Sequence, residues 1–380
     1  MPVRKDIIPR KLERIVRDHL FKNKAVMIHG ARQVGKTTLV EHLLSTLNLK
    51  YAYLNGDDFD VRERLEQPQI RKLETIIGDA KVLFIDEAQR IPEIGIVIKI
   101  VVDRIRDVQV IATGSSSFLP SRGTKEPLTG RAFEFVLYPL SFGELVAHAS
   151  LLDEKRNLER RLVFGSYPEI VTASGDEIRL LELLSGSYLY RDLSILESVS
   201  RPELLEKITR ALALQIGSEV SSSEIAQLVG ADRNTVEKYI HLLEKAWIVF
   251  KLNSLSRNVR NEIKKGKKYY FYDNGIRNAI IRNFNPVRSR TDGGALWENY
   301  CIGERIKVQA YEKMNVQRYF WRTTQQQEID YVEQIDEKYH AYEFKSSLLK
   351  KVRFSKTFLD SYEVAQTRLV TPENVEEFFL

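Results

Sequence analysis

Ala25-Val-Met-Ile-His29-Gly30-Ala-Arg-Gln-Val-Gly35-Lys36-Thr37-Thr38 begins as a short apolar strand, passes through a loop bounded by two glycines, and enters a periodic helix that runs to Leu47. The loop fits G-x-x-x-x-G-K-[ST], and the strand before it and amphipathic helix after it are the context in which that pattern cradles phosphates. Glycine at both ends lets the backbone wrap closely, so that successive N–H groups point inward and the helix start adds its positive dipole end. The spacing therefore predicts a nucleoside triphosphate site, with ATP and Mg²⁺ as cofactors, built from Gly30, Ala31, Arg32, Gln33, Val34, Gly35, Lys36, Thr37 and Thr38. Lys36 is expected at the β and γ phosphates and the Thr37 hydroxyl on the metal ion.

Working outward, Tyr51 to Leu54, Lys81 to Ile85, Val108 to Ala112 and Phe133 to Leu137 read as further strands separated by helical stretches, the alternation of a parallel sheet covered on both faces. Asp86 and Glu87 follow the third of these apolar runs. Asp86 is assigned to the metal and Glu87 to the attacking water. Ser115, in Thr113-Gly114-Ser115, is placed to meet the γ-phosphate, and Arg131, just before the fifth strand, to reach the γ-phosphate of a neighbouring subunit. Residues 1–140 are thus expected to form one α/β domain.

Residues 141–200 turn helical, with an interruption at Gly165-Ser-Tyr-Pro168. In 201–290, helices are expected at Leu204 to Leu214, Glu224 to Val229 and Asn234 to Ala246. Two β-rich runs follow, Trp247 to Leu252 and Lys268 to Tyr272, flanking a basic stretch. Three helices and a hairpin describe a winged helix. Its second recognition-type helix would expose Arg233, Asn234, Lys238 and His241, and its hairpin would offer Arg257, Arg260, Lys264, Lys265, Lys267 and Lys268 to DNA phosphates. Residues 291–380 read as helix, three strands, helix, strand. Because i and i+2 of a strand face one side, Glu343 and Lys345 project together, and Asp330 on the adjacent strand is expected to meet them. Asp330 and Glu343 would hold a divalent ion and Lys345 would position or deprotonate water for phosphodiester attack, with Glu298 on the preceding helix.

A chain of 380 residues exceeds what one core usually serves. Its 58 Lys and Arg against 52 Asp and Glu, a formal charge of +6, suit a polyanionic partner without requiring one. The single cysteine, Cys301, excludes an intramolecular disulfide and is expected in the core; the charged N-terminal stretch and the absence of any run near membrane-spanning length lead to the expectation of a cytoplasmic protein with no membrane partner.

The ordering of the P-loop, Asp86-Glu87, Thr113-Gly-Ser115 and Gly130-Arg131 resembles AAA+ ATPases. Val34-Gly35-Lys36-Thr37-Thr38, Leu83-Phe-Ile-Asp86-Glu87-Ala88-Gln89, Gly114-Ser-Ser-Ser117, Tyr138-Pro-Leu-Ser-Phe-Gly-Glu144 and Tyr272-Asp273-Asn-Gly275 resemble, more narrowly, prokaryotic AAA-type ATPases with a C-terminal domain of unassigned function. The resemblance implies a sheet of order 5-1-4-3-2, a helical lid at 141–200 and assembly into a homo-oligomeric ring; no lid arginine is identifiable. Residues 291–380 resemble the PD-(D/E)xK nuclease superfamily, a restriction-endonuclease-like α/β fold, with Ile329 in place of the proline of the family's name. Two functions remain open on these residues. One is a DNA-directed ATPase whose C-terminal domain binds or cuts DNA. The other is an ATP-driven regulatory switch whose C-terminal domain is an inactive protein-interaction module.

Overall fold

A computed structural model describes residues 7–115, 128–188, 199, 201–256, 266–346 and 353–380. Ser116, Ser117, Arg257, Arg260, Lys264 and Lys265, named above, lie outside the described residues. The chain divides into two compact units, the first comprising Met1–Tyr138 with Lys245–Trp247 and the second Pro139–Glu244 with Ile248–Leu380.

In the first unit, strands β1 (Ala25–His29), β2 (Tyr51–Asn55), β3 (Val82–Asp86), β4 (Gln109–Gly114) and β5 (Ala132–Val136) form a sheet of order β2-β3-β4-β1-β5, every pairing parallel. This is the order 5-1-4-3-2. The three inner strands, β1, β3 and β4, are buried at every position, whereas the edge strands β2 and β5 are largely part-exposed. Apolar runs with no polar alternation are what a strand covered on both faces requires. On one face Met27, Leu83, Ile85 and Ala112 pack with Leu73 and Ile77 of the helix Ile70–Ile77 and with Val97, Ile98 and Val101 of the helix Ile94–Arg104. The first helix, Lys11–Arg17, stops before the loop that leads to β1. Phe21 turns left-handed there, and its N–H donates to the buried Gln109 side chain.

The second unit opens with a run of short helices, Phe142–His148, Leu151–Arg156, Leu158–Phe164, Pro168–Thr172 and Glu177–Leu183. Ser141 and Glu144 start the run with a reciprocal cap: the Ser141 hydroxyl accepts from the Glu144 N–H, and the Glu144 carboxylate accepts from the Ser141 N–H. Helices Pro202–Leu214, Ser222–Val229 and Arg233–Lys245 follow, the second ending at Gly230 in the left-handed conformation.

Strands β6 (Glu219–Val220), β7 (Val249–Ser254), β8 (Lys267–Phe271), β9 (Gln317–Arg322), β10 (Glu328–Ile335), β11 (Lys338–Phe344) and β12 (Val364–Val370) make one sheet of order β12-β11-β10-β9-β7-β8-β6. The link between its halves is the parallel pairing of β7 with β9, Asn253 opposite Tyr319. Strands from 201–290 and from 291–380 therefore share a single sheet.

The helix Asn274–Ile281 was not anticipated, because Asp273-Asn274-Gly275 has the composition of a turn. Asp273 instead caps that helix through the Ile276 N–H and accepts a second bond from the Ser166 N–H at 2.7 Å. Gly275 and Gly165 lie so close to opposing atoms that an added Cβ would overlap the Phe164 carbonyl oxygen or the Asp273 carboxylate. Within the same unit the long helix Gly293–Tyr311 presents Glu304 to the Phe142 N–H and Lys307 to the Leu140 carbonyl. The segments 140–144 and 272–275 are thus fastened into one buried polar network.

Candidate functional site

In the first unit the site forms where β1, β3 and β4 end on the same edge of the sheet, because parallel pairing in register sets His29 beside Gly114 and Ile85 beside Ala112. That register brings the loop after β1, the carboxylate at the end of β3 and the hydroxyls at the end of β4 together. Gly30 and Gly35 both have positive φ, at 149° and 93°. A Cβ on Gly30 would overlap the Leu137 carbonyl oxygen. Lys36 is 5% exposed and folds over the loop, its ammonium donating to the carbonyls of Gly30 at 3.0 Å and Ala31 at 2.8 Å. Arg10 braces the loop from behind, donating to the Val34 and Tyr138 carbonyls.

Thr37 donates its hydroxyl to Asp86 Oδ2 at 2.8 Å. The other Asp86 oxygen accepts from the buried Thr113 hydroxyl and from the Glu87 N–H at 3.1 Å. Tyr53, on β2, adds its hydroxyl at 3.3 Å from Oδ2; burial and then the Asp86 charge hold that phenol protonated, with a pKa well above its ordinary value. Glu87 is left-handed, with φ of 47°, and Gln89 Nε2 bridges Glu87 Oε2 at 2.5 Å and Ser115 Oγ at 3.0 Å. A hydroxyl and a carboxylate in contact, beside a second carboxylate and under a lysine, form a donor set that suits a magnesium-bound triphosphate. Thr37 and Asp86 are brought into contact, Glu87 and Ser115 are joined through Gln89, and Lys36 lies on the loop carbonyls one residue before Thr37.

Tyr53, Thr113 and Gln89 were missed as site residues. Gln89 had a legible signal, lying two residues after Glu87 in a segment that must turn at the strand end. Arg131 sits at the other edge of the sheet: its carbonyl accepts from the Ala25 N–H, about 16 Å from the P-loop by strand rise, and its Nε donates to both oxygens of Asp103 at 2.9 and 3.1 Å.

The second unit holds a separate cluster. Lys345 donates to Glu343 at 2.9 Å and to Asp330 at 3.2 Å, and Asp330 also accepts the Phe344 N–H at 2.9 Å. Phe344 itself faces inward, against Tyr331 and Phe378. Asp330, Glu343 and Lys345 are therefore brought together. Burial, and after it the Asp330 charge, push the Glu343 carboxyl up. Glu298 instead accepts from Tyr270 at 2.5 Å and from Lys268 at 3.3 Å, and Lys268 also donates to Glu328 at 2.5 Å. Burial raises Glu298 to about 7; Lys268 holds it down and Asp330 pushes it up. Lys268, expected on the surface to grip phosphates, is 1% exposed. Two carboxylates outweigh the cost of burying its ammonium. Among the described residues no group of three His, Cys, Asp or Glu side chains is placed to hold a metal.

Arg233, Asn234, Lys238 and His241 are exposed along the helix Arg233–Lys245, as expected. Arg233 pairs with Glu237 at 2.8 Å and His241 lies 3.7 Å from Glu244, so acidic neighbours partly offset this basic face. Cys301 is buried. No helix among the described residues is long and apolar enough to cross a membrane.

A family model described as an AAA domain matches residues 22–146, the P-loop sheet and the segment following it. Residues 22–146 are thus an AAA-type, P-loop ATPase-like domain. Two further models, described as Domain of unknown function (DUF8612) and Domain of unknown function (DUF4143), match residues 155–287 and 293–378. Relatives include an uncharacterized protein of Haemophilus influenzae, 27% identical over 281 residues, covering 67% of this chain and 68% of that one. An uncharacterized protein of Mycobacterium tuberculosis is 24% identical over 363 residues, covering 94% of this chain and 78% of its own. Among solved structures, the Thermotoga maritima RuvB Holliday junction branch migration motor is 18% identical, with a TM-score of 0.30 over 69% of this chain and 88% of that chain.

Proposed function

We propose that this chain is a Mg²⁺-dependent ATP hydrolase acting on DNA, in which Asp86 and Thr37 hold the ion, Lys36 holds the phosphates, Glu87 orients the attacking water and Ser115 meets the γ-phosphate. The bound ion supplies charge neutralisation on the triphosphate. The observation that carries the reading is the contact between the Thr37 hydroxyl and Asp86 at 2.8 Å beside Glu87, which is held by Gln89. Arg131, remote from its own P-loop, is proposed to serve a neighbouring copy in a ring.

The helices and hairpin of 201–290 are read as a winged helix that meets DNA through Arg233, Asn234, Lys238 and His241. Residues 291–380 are read as a nuclease-like domain in which Asp330 and Glu343 hold a divalent ion and Lys345 positions water. The contact of one ammonium with both carboxylates supports this role. The pairing of every carboxylate in that cluster with a lysine also suits the second reading, an inactive docking module under ATP control.

Fluorescence anisotropy with a labelled duplex, at low and physiological salt, tests the DNA reading. If a few phosphates are contacted, affinity falls by about tenfold or more across that range, and Lys238→Ala lessens the slope by about 1. Binding absent, or indifferent to salt, favours the docking module. Asp330→Ala is expected to remove Mg²⁺-dependent cleavage while sparing ATP turnover.

A further inference from the structure

Two ammonium groups stand among the carboxylates of the second unit, and they are not equivalent. Lys345 lies just past the end of β11, its side chain is 33% exposed, and it touches Asp330 and Glu343 at 3.2 and 2.9 Å. Lys268 lies inside β8, paired across the strand with Leu252 and Glu219, and its side chain is 1% exposed. Its ammonium sits 5.3 Å from the centroid of the Phe320 ring and touches Glu328 and Glu298 at 2.5 and 3.3 Å. Tyr270, two residues along the same strand face, donates to the Glu298 oxygen that Lys268 touches.

Each lysine marks a point where two carboxylates converge on one cation, but only one of those cations can leave. Lys345 has a long stem and open solvent beside it, so swinging it aside costs little. Withdrawing Lys268 would strand a buried ammonium and take from Glu298 its cationic partner, which is strongly unfavourable. With all groups ionised, four carboxylates stand against two ammonium groups and the Arg322 guanidinium, 3.8 Å from Glu328, and the excess of negative charge favours a bound cation.

We infer that Lys268 is a built-in second cation, so that the nuclease-like site takes one divalent ion, on Asp330 and Glu343, and Glu298 is a positioning residue rather than an ion ligand. The inference rests on the ion-holding role proposed above for Asp330 and Glu343. It makes the site composite, since Lys268 and Tyr270 come from the hairpin strand β8 and not from residues 291–380.

Manganese titration of the full chain, followed by the electron paramagnetic resonance of free Mn²⁺, tests it without reference to activity. Asp86→Ala is carried throughout and nucleotide is left out, to silence the P-loop site. One Mn²⁺ per chain is expected, retained in Glu298→Gln, weakened by about 10–100-fold in Glu343→Gln, and joined by a second ion in Lys268→Met. Two ions with Lys268 intact, or loss of the ion in Glu298→Gln, overturns the inference while leaving the ion-holding role of Asp330 and Glu343 standing. No bound ion at all overturns both. Because the chain with Lys268 intact and the near-isosteric Glu298→Gln decide the question, a Lys268→Met chain that fails to fold does not rescue it.

Discussion

Thr37 and Asp86, 49 residues apart, meet at 2.8 Å because parallel pairing places the ends of β1 and β3 on one edge of the sheet with β4 between them. The contact joins the first turn of a helix to the last residue of a strand. Both residues are anchored in the loop and the sheet, the kind of rigid support that the metal position proposed for them requires. Glu87 is placed by the same strand end and bonded by Gln89, so the groups proposed for binding and for turnover share one frame.

Lys36 is the charge proposed to face the phosphates in that frame. Lys36→Ala is expected to lower ATP turnover by about 10²–10³ or more, because a charge aimed at developing phosphate charge in a water-poor cleft is worth several kcal/mol. Phosphate release measures it, and unchanged turnover would remove the site assignment.

Gln89 reaches Glu87 at 2.5 Å and Ser115 at 3.0 Å from one nitrogen. Gln89→Ala is expected to reduce kcat by about 10–100-fold, since the group that orients the base is lost. Affinity for a fluorescent ATP analogue stays as it was. A variant with weakened nucleotide binding and normal kcat would contradict this role.

Gly165 has φ of 75°, and a Cβ there would overlap the Asp273 carboxylate. Gly165→Ala is expected to destabilise the second unit by about 2 kcal/mol or more, combining backbone strain with a displaced, buried, hydrogen-bonded carboxylate. Urea unfolding checks it, and an unshifted midpoint would mean that the network yields easily.

Glu298 carries a pH signature. Burial raises its folded pKa to about 7 from an ordinary value of 4.5. Between those values the folded chain keeps a proton that the unfolded chain has released, so stability falls as pH rises through the window, and the loss is complete above about 7. Relative to Glu298→Gln, which cannot titrate, the wild-type chain is expected to lose on the order of 3 kcal/mol between about pH 5 and pH 8. Unfolding followed through the neighbouring buried Trp297 reports the difference; a pH-independent difference would contradict it.

How much of this was legible in sequence follows from how local each signal is. The strands Ala25–His29 and Val82–Asp86 were readable because buried parallel strands leave unbroken apolar runs, and the phosphate loop because its glycines and lysine are consecutive. The strand order came from the family resemblance rather than from spacing. The meeting of Asp330, Glu343 and Lys345 followed from strand alternation. Lys268 did not, because its run of lysines looks solvated and its partners, Glu298 and Glu328, lie 30 and 60 residues away. The helix Asn274–Ile281 escaped for the same reason, since its glycine is required by the Phe164 carbonyl and not by a turn.

The most direct test of the central claim is the steady-state rate of ATP hydrolysis at fixed salt, with and without single-stranded, duplex and branched DNA, using Lys36→Ala as the blank. Hydrolysis is expected to require Lys36 and to rise several-fold with at least one of these DNAs. Hydrolysis that is indifferent to all of them would contradict a DNA-directed ATPase and leave the regulatory switch standing.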